Sequence, residues 1–403
     1  MVQRLISLVN VAKFTVPNPH YMNQAQSHLR VLLVSPYGLA RDGVARYSSD
    51  LVATMEGEGC DFQIVTPRRP QGAEAANVIG NLEGHSKHTR QLCNTVLHWS
   101  PDLVHVQFAV PSYGGRLLAL LRLLDALPVR KVVTAHEVTR DIDRLGLLGR
   151  RVYRRLAESA SCVMVHTQAA ARIIESLAPT VEVHVIPHPV LPAPAEVVTE
   201  AEIRIRFGLV DRDVILMFGF VHRYKGLIDL VTAFGRAQQI SSSGLDRATL
   251  VVAGAVRRRS GLFRILELPD QVHLARVRFQ VRHRGLEDCT VFTGYVDDGE
   301  VAAWFQAAHA IVLPYRKIDQ SGVLSLARAF GSSVIASDAG GFAEETGSLW
   351  TFPAGDCESL ARLLARLENE RPPKASFDRA AEMASFVEAT SALYRSSPRR
   401  ISR

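Results

Sequence analysis

The chain has 403 residues, enough for two or three domains that each bury a core, and its 47% hydrophobic and 22% charged residues read as a soluble globular protein. Five scattered cysteines (Cys60, Cys93, Cys162, Cys289, Cys357) include no Cys-x-x-Cys pair, which argues against a disulfide framework or a zinc site and fits a reducing cytoplasm. A net charge of +7 and a pI near 9.3 admit anionic substrates, a membrane surface or nucleic acid, and the placement of the charge has to choose among them.

Residues 1–28 mix apolar and polar positions around Pro17 and Pro19, with no long apolar run ahead of a small-residue cleavage site, and read as a loosely ordered extension. Order is predicted from the apolar strand Leu29 to Pro36. A loop with Gly43 and a helical pattern from Tyr47 to Met55 complete the first unit of a doubly wound sheet. Gly43 would let a ligand approach the backbone, or is a plain turn glycine.

Strands are predicted at Asp61 to Thr66, Leu103 to Phe108, Lys131 to His136, Cys162 to Thr167 and Val183 to Pro187, with helices such as Arg116 to Leu127 and Gln168 to Leu177 between them. Their C-terminal ends carry Gln107, His136, His166 and His188, where open α/β sheets bind ligands. Four prolines between Pro187 and Ala195 then stiffen a connection that suits neither helix nor central strand, and they mark the domain boundary.

A second alternation starts with a strand at Val214 to Val221. It continues through the loop His222-Arg-Tyr-Lys-Gly226, a helix from Ile228 to Gln238, strands at Thr249 to Gly254 and Thr290 to Val296, and a helix from Asp298 to Ala308. The run Ile311-Val-Leu-Pro314 is a strand stopped by proline. Asp319-Gln-Ser-Gly322 follows, with capping side chains ahead of the helical Val323-Leu-Ser-Leu-Ala-Arg-Ala. Free N–H groups at such a helix start favour an anion, usually a phosphate; the alternative is an ordinary βαβ connection with a polar loop. A long helical pattern from Phe377 to Tyr394 is placed to pack back across the junction.

The arginines form three groups: Arg150, Arg151, Arg154 and Arg155; Arg257, Arg258, Arg259, Arg264, Arg276, Arg278, Arg282 and Arg284; and Arg395, Arg399, Arg400 and Arg403. No nucleic-acid motif or interleaved aromatic residue accompanies them, so nucleic acid is not expected as a partner. They read as solvated faces, with an anionic membrane surface as the functional alternative for the first and third groups. No apolar run approaches the roughly 20 residues that cross a bilayer. The expected location is the cytoplasm, with peripheral contact at the inner membrane face.

Taken in order, Phe218-Gly-Phe-Val-His-Arg-Tyr-Lys-Gly-Leu227, Phe292-Thr-Gly-Tyr-Val296, Val312-Leu-Pro-Tyr-Arg316, Gln320-Ser-Gly-Val323, Ala329-Phe-Gly331 and Gly340-Gly341 with Glu344 resemble glycosyltransferase family 4, the retaining enzymes of GT-B fold, in a subgroup whose phosphate loop reads Gln-Ser-Gly. The likeness covers most of Leu29 to Tyr394. It implies two Rossmann-like domains facing across a cleft: residues 29–190 for the acceptor, with the helix 375–395 packing back on them, and residues 200–374 for a nucleoside-diphosphate sugar. Under this resemblance Lys225 and Arg223 neutralise the departing diphosphate, while Gly219, His222, Gly226, Gln320, Ser321, Gly322 and Val323 surround the donor. Gly294 and Tyr295 lie by the base, and His136 and Asp319 by the transferred sugar. Gly43 and Gln107 lie on the acceptor side.

No Asp-x-Asp triplet appears, so neither a metal nor another cofactor is expected beyond the nucleotide sugar itself. Two family features are replaced. Phe220 stands where an arginine is common, and Leu326 or Ala327 stands where a ribose-binding glutamate is expected, with Glu300 and Glu344 as unplaced candidates. The implied activity is retaining, metal-independent sugar transfer of the hexosyltransferase type, to a glycan, glycolipid or small-molecule acceptor. A nucleotide-sugar epimerase or hydrolase of the same fold and a non-catalytic GT-B partner subunit are the alternatives. Lys225 as a surface turn lysine and His136 as a core or capping histidine are the structural readings beside the functional ones.

Overall fold

The structure is a computed structural model that describes residues 28–38, 42–68, 77–82, 86–189, 193–240, 245–257, 267–318, 321–340, 342, 350–374 and 378–396. The expected extension lies outside these residues but for His28.

Two parallel sheets carry the chain. The first holds β1 (Leu29–Val34), β2 (Cys60–Thr66), β3 (Val78–Asn81), β4 (Leu103–Phe108), β5 (Arg130–Ala135), β6 (Cys162–Val165) and β7 (Glu182–Val185), in the order β3-β2-β1-β4-β5-β6-β7. The second holds β8 (Asp213–Phe218), β9 (Ala248–Ala253), β10 (Thr290–Phe292), β11 (Ala308–Leu313), β12 (Val334–Ser337) and β13 (Thr351–Phe352), in the order β10-β9-β8-β11-β12-β13. Every pairing within the sheets is parallel. Strand order reverses beside β1 and β4 in one sheet and beside β8 and β11 in the other. At such points the flanking loops diverge and open a crevice at the C-terminal strand ends.

Parallel strands covered on both faces need apolar side chains on both, which is why β1 and β9 read as nearly continuous apolar runs. In the first sheet one set of alternate residues, including Leu32, Val34, Val104, Val106 and Val133, packs with Leu120, Leu123, Tyr153 and Ile174 from helices. The opposite set, Val31, Leu33, Leu103, Val132 and Met164, packs under the helices Gly43–Glu56 and Arg379–Arg395 through Tyr47, Leu51, Phe386 and Leu393. The second sheet has the same two-sided arrangement.

The C-terminal helix bridges the halves. Tyr394 and Phe386 are buried on the first sheet, Arg130 donates to the Tyr394 carbonyl at 2.9 Å, and Arg328 of the second half pairs with Glu382. Among the described residues no helix is long and apolar enough to cross a membrane.

Several elements differ from the sequence reading. The strand expected to reach Val221 stops at Phe218, because Gly219 turns the chain with φ +93°. The strand expected over Thr290 to Val296 keeps only Thr290–Phe292, and Gly294 turns it with φ +78°. The helix expected from Asp298 begins as a 3-10 turn, Asp298–Glu300, and becomes α-helical at Val301–Ala307. The arginine-rich region contains a helix, Leu268–His283, that inserts only Val277 and Val281 fully into the core.

Candidate active site

The donor side of the site lies at the second sheet's reversal point. After β8, Gly219 adopts a left-handed backbone, and a Cβ there would meet Lys225 Nζ at 3.1 Å and Val323 Cγ2 at 3.5 Å. Its carbonyl oxygen lies 2.0 Å from where a Cβ on Gly254 would stand, so Gly254 excludes a side chain. Gly219, Lys225 and Val323, distant in sequence, therefore meet at one point.

Lys225 is delivered there by a 3-10 turn, Arg223–Lys225, closed by the Lys225 amide on the His222 carbonyl at 2.9 Å. Gly226 ends the turn at φ +66°, and a Cβ on it would stand 1.8 Å from the Pro314 carbonyl oxygen. Arg316 fastens the turn to the end of β11. Its amide donates to the Tyr224 carbonyl at 2.8 Å, and its guanidinium forks onto buried Asp229 with two bonds of 2.7 Å. The fork holds the Arg316 guanidinium above its ordinary pKa. Lys225 Nζ sits 5.2 Å from the Tyr315 ring centroid, and no carboxylate pairs with it among the described residues.

Beyond β11 the helix Gly322–Ala329 points its first turn at this spot. Ser321 caps it, its hydroxyl accepting from the Leu324 amide at 3.2 Å, and Gly322 is exposed with open space beside its Cα. An ammonium over a bare glycine, beside a helix start, is an arrangement for a phosphate. Asp319 and Gln320 lie outside the described residues, as does Glu344.

The other donor-side residues separate. Arg223 is exposed and folds onto its neighbour, 4.8 Å over the Tyr224 ring and donating to its hydroxyl at 2.6 Å. Where Phe220 replaces the common arginine, the guanidinium of Arg257 from the end of β9 lies 5.6 Å over the phenyl ring, with Tyr295 tilted on the phenyl at 6.2 Å. In the sequence Arg257 belongs to an arginine-rich patch, and only the fold brings it to the reversal point. Gly294 has open space around it and Tyr295 is 38% exposed. Glu300 pairs with Arg206 at 2.7 Å on the helix Glu200–Arg206. Leu326 and Ala327 pack in the core, so neither offers a polar group at their place.

Across the cleft, the ends of the first sheet carry a row of histidines on one face, set by the two-residue period of its strands. His136 is 7% exposed and its Nε2 donates to Gln107 Oε1 at 2.8 Å. Gln107 is fully buried and its amide reaches His105 at 3.2 Å; His105 in turn bonds the Tyr394 hydroxyl at 2.6 Å and Thr134 at 2.7 Å. Tyr47 packs on His136, His166 and His188 at 4.9, 5.5 and 4.9 Å. Gln107, read as an acceptor-side residue, thus acts on the cleft only through His136.

Burial holds these imidazoles neutral. His105 is pushed down to about 3, His166 to about 3 and His188 to about 4, and His136 lies well below the ordinary range through burial and its three histidine neighbours. Gly43 opens the helix Gly43–Glu56 with free space beside it, capped by Asp42, which also faces Arg257 across the cleft at 3.5 Å. Lys317 meets Asp143 across it at 2.6 Å.

The family profile for glycosyltransferase family 4 matches residues 41–193, and the profile for glycosyl transferases group 1 matches residues 212–370. No protein of curated function matches the chain by sequence. Solved structures similar to it include sucrose-phosphate synthase from Thermosynechococcus elongatus (TM-score 0.67, 19% identity, 91% of this chain and 98% of that one). HepE from Anabaena in complex with UDP and glucose is similar too (TM-score 0.69, 14% identity, 92% and 100%), as is a UDP-forming trehalose-phosphate synthase from Burkholderia xenovorans in complex with glucose-6-phosphate (TM-score 0.66, 13% identity, 91% and 98%). With one glycosyltransferase profile on each of two facing Rossmann-like halves, the chain belongs to the glycosyltransferases of GT-B fold.

Proposed function

We propose that the protein transfers a hexosyl group, with retention of configuration and without a metal, from a nucleoside-diphosphate sugar to an acceptor hydroxyl in the cleft. The observation that carries this is Lys225 Nζ standing over Gly219 beside the start of the helix Gly322–Ala329. In the reaction the sugar C1–O bond to the diphosphate breaks, the acceptor oxygen bonds to C1, and the acceptor proton leaves on a phosphate oxygen. Charge grows on that phosphate as the bond breaks, so a fixed ammonium and free helix amides stabilise the transition state more than the bound donor. His136, neutral and anchored by Gln107, would present an uncharged edge to the sugar, and the family resemblance gives Asp319 a role at the same sugar. HepE binds UDP and glucose, which supports a nucleotide sugar as the substrate class.

The test is release of nucleoside diphosphate from a panel of sugar nucleotides and acceptors, with and without EDTA. Turnover that survives EDTA and falls about 10²–10³-fold in Lys225→Ala is expected. An unchanged Lys225→Ala enzyme would remove the basis of the reading, and a donor altered without acceptor would identify an epimerase or hydrolase instead.

A docking face for anionic lipid at the cytoplasmic membrane surface belongs to the same proposal. Leu147 and Leu148 are 73% and 59% exposed at the start of the helix Leu147–Glu158, just ahead of exposed Arg150 and Arg151. Arg155 is paired with Asp125, so Arg150, Arg151 and exposed Arg154 carry the charge. Flotation with anionic vesicles is expected to weaken in salt and in Leu147→Ser; no binding would reject the face.

A further inference from the structure

The loop that delivers Lys225 also carries a titratable pair that fixed-cation binding does not use. His222 Nδ1 lies 2.8 Å from Asp270 Oδ2, with side chains 29% and 17% exposed, and the second Asp270 oxygen accepts the Arg223 amide at 3.2 Å. Asp270 sits in the first turn of the helix Leu268–His283, and its two oxygens hold the His222 ring and the Arg223 amide. A carboxylate only accepts, so the Nδ1 proton is fixed by this bond and Nε2 holds the lone pair whenever the ring is neutral.

We infer that His222 is a proton-linked phosphate ligand: neutral in the free protein, it takes one proton from solvent when a nucleoside-diphosphate sugar binds, with Asp270 holding the resulting imidazolium. This rests on the proposed donor site. Around the ring stand Asp270, Arg223 and Lys225, with Arg140 acting on it from the helix Val138–Leu145 across the cleft. Arg144 of the same helix acts on Asp270, and His273 lies beyond it.

In the free protein burial pushes the imidazole below its ordinary range. Asp270 pulls the other way, while Lys225 and Arg140 add to the push. Burial works to raise the Asp270 carboxyl, but the bonds from His222 and the Arg223 amide outweigh it and keep it ionised. A diphosphate at Lys225 reverses the local field. The surrounding cations become paired, a negative charge faces the ring, and the oriented Asp270 favours the charged form as a buried aspartate does for a catalytic imidazolium. Protonated Nε2 then becomes a donor to the phosphate.

Calorimetric titration with UDP-glucose, GDP-mannose and ADP-glucose, without acceptor, in Hepes, Tris and Pipes at pH 7.5 reads the linkage directly. Intact sugar nucleotides are used because a terminal phosphate has its own ionisation near 6, on the order of the effect sought. Uptake of about one proton per bound nucleotide is expected, with affinity falling as pH rises. His222→Arg should bind with no uptake and with affinity independent of pH. His222→Gln should bind on the order of tenfold more weakly, again without uptake. Asp270→Asn should take up less than wild type. Both His222 variants should keep the wild-type melting temperature, which separates charge from folding. Binding by the wild type without proton uptake, or uptake persisting in His222→Arg, would overturn the inference and leave the donor site standing. Failure of all three nucleotides to bind would instead remove the donor site itself.

Discussion

At the strand ends of the first sheet, buried His136 and His166 and half-buried His188 close around Tyr47, and Gln107 ties His136 to His105 and so to the C-terminal helix. At the strand ends of the second, left-handed glycines strip the backbone bare, Lys225 stands over Gly219, Arg257 lies over Phe220, and His222 pairs with Asp270. The two sheets share one order over six strands, the first adding only β7 at its edge, so topology does not produce this difference. One half fills its crevice edge with neutral rings packed on one another that fix a shape. The other leaves room and presents the Lys225 ammonium, which has no carboxylate partner among the described residues. Shape on one side and charge on the other is the division expected when one half orients a sugar and its acceptor while the other stabilises a departing diphosphate.

Acid should break the comparison most severely, and on the first side. All four imidazoles have folded pKa values lowered from 6.5, to about 3 for His105 and His166, about 4 for His188, and well below the ordinary range for His136. The unfolded chain binds these protons near 6.5 and the native chain does not, so their contribution is complete above pH 6.5 and drains as pH falls toward 4. At pH 5 each buried histidine costs on the order of 2 kcal/mol by linkage. Thermal unfolding followed from pH 7.5 to 5 should show a steep loss of stability. His188→Asn should flatten the slope by one proton, and an unchanged slope would contradict the neutral cluster.

Next in size is Gly226→Ala, which strikes the second side. A Cβ at φ +66° costs about 1–2 kcal/mol in any context. Here it would also stand 1.8 Å from the Pro314 carbonyl, so the turn must move and carry Lys225 with it. Gly208 has the same φ and open space, so Gly208→Ala measures the strain alone. The expected outcome is a loss of roughly 3 kcal/mol or more in denaturant unfolding for Gly226→Ala, with donor binding reduced over tenfold, against about 1 kcal/mol and normal binding for Gly208→Ala. Equal effects would show that the Pro314 contact does not hold the turn.

Much of this division is legible before folding, but unevenly. Periodicity and punctuation give the central strands of both sheets, because a buried parallel strand needs an apolar run and Pro187 and Pro314 can only end one. The turn at Gly219 and the short edge strands β3 and β13 are not read, since a glycine inside an apolar run and two to four residues carry too little pattern. The sequence also displays Lys225-Gly226 and Ser321-Gly322 as a turn and a helix start. It does not display Arg257 over Phe220, or Asp270 under His222, since those pairs are made by strand order and not by spacing. The helix Leu268–His283 hides for a related reason: only two of its residues are fully buried, so its apolar stripe is too thin to read. The histidine row was visible as polar strand ends, yet its partner Tyr394 lies 289 positions from His105 and becomes a neighbour only when the last helix folds back.

The smallest effect concerns how the two sides face one another. Lys317 and Asp143 meet at 2.6 Å across the cleft, and the bond raises the lysine pKa, but their side chains are 55% and 36% exposed. A pair so open to solvent is worth at most about 1 kcal/mol and is screened by salt. Asp143→Asn should therefore leave the melting temperature nearly unchanged. Lys317 precedes the donor loop by two positions, however, and Asp143 lies one turn from Arg140 on the helix facing His222, so the pair sets how closely charge approaches shape. Removing it should weaken KM for donor and acceptor by no more than about fivefold, with kcat unchanged at saturation, and the difference from wild type should vanish above roughly 0.5 M salt. A fall in kcat that persists in high salt would mean that the pair does more than hold the halves together and acts on the sugar-transfer step itself.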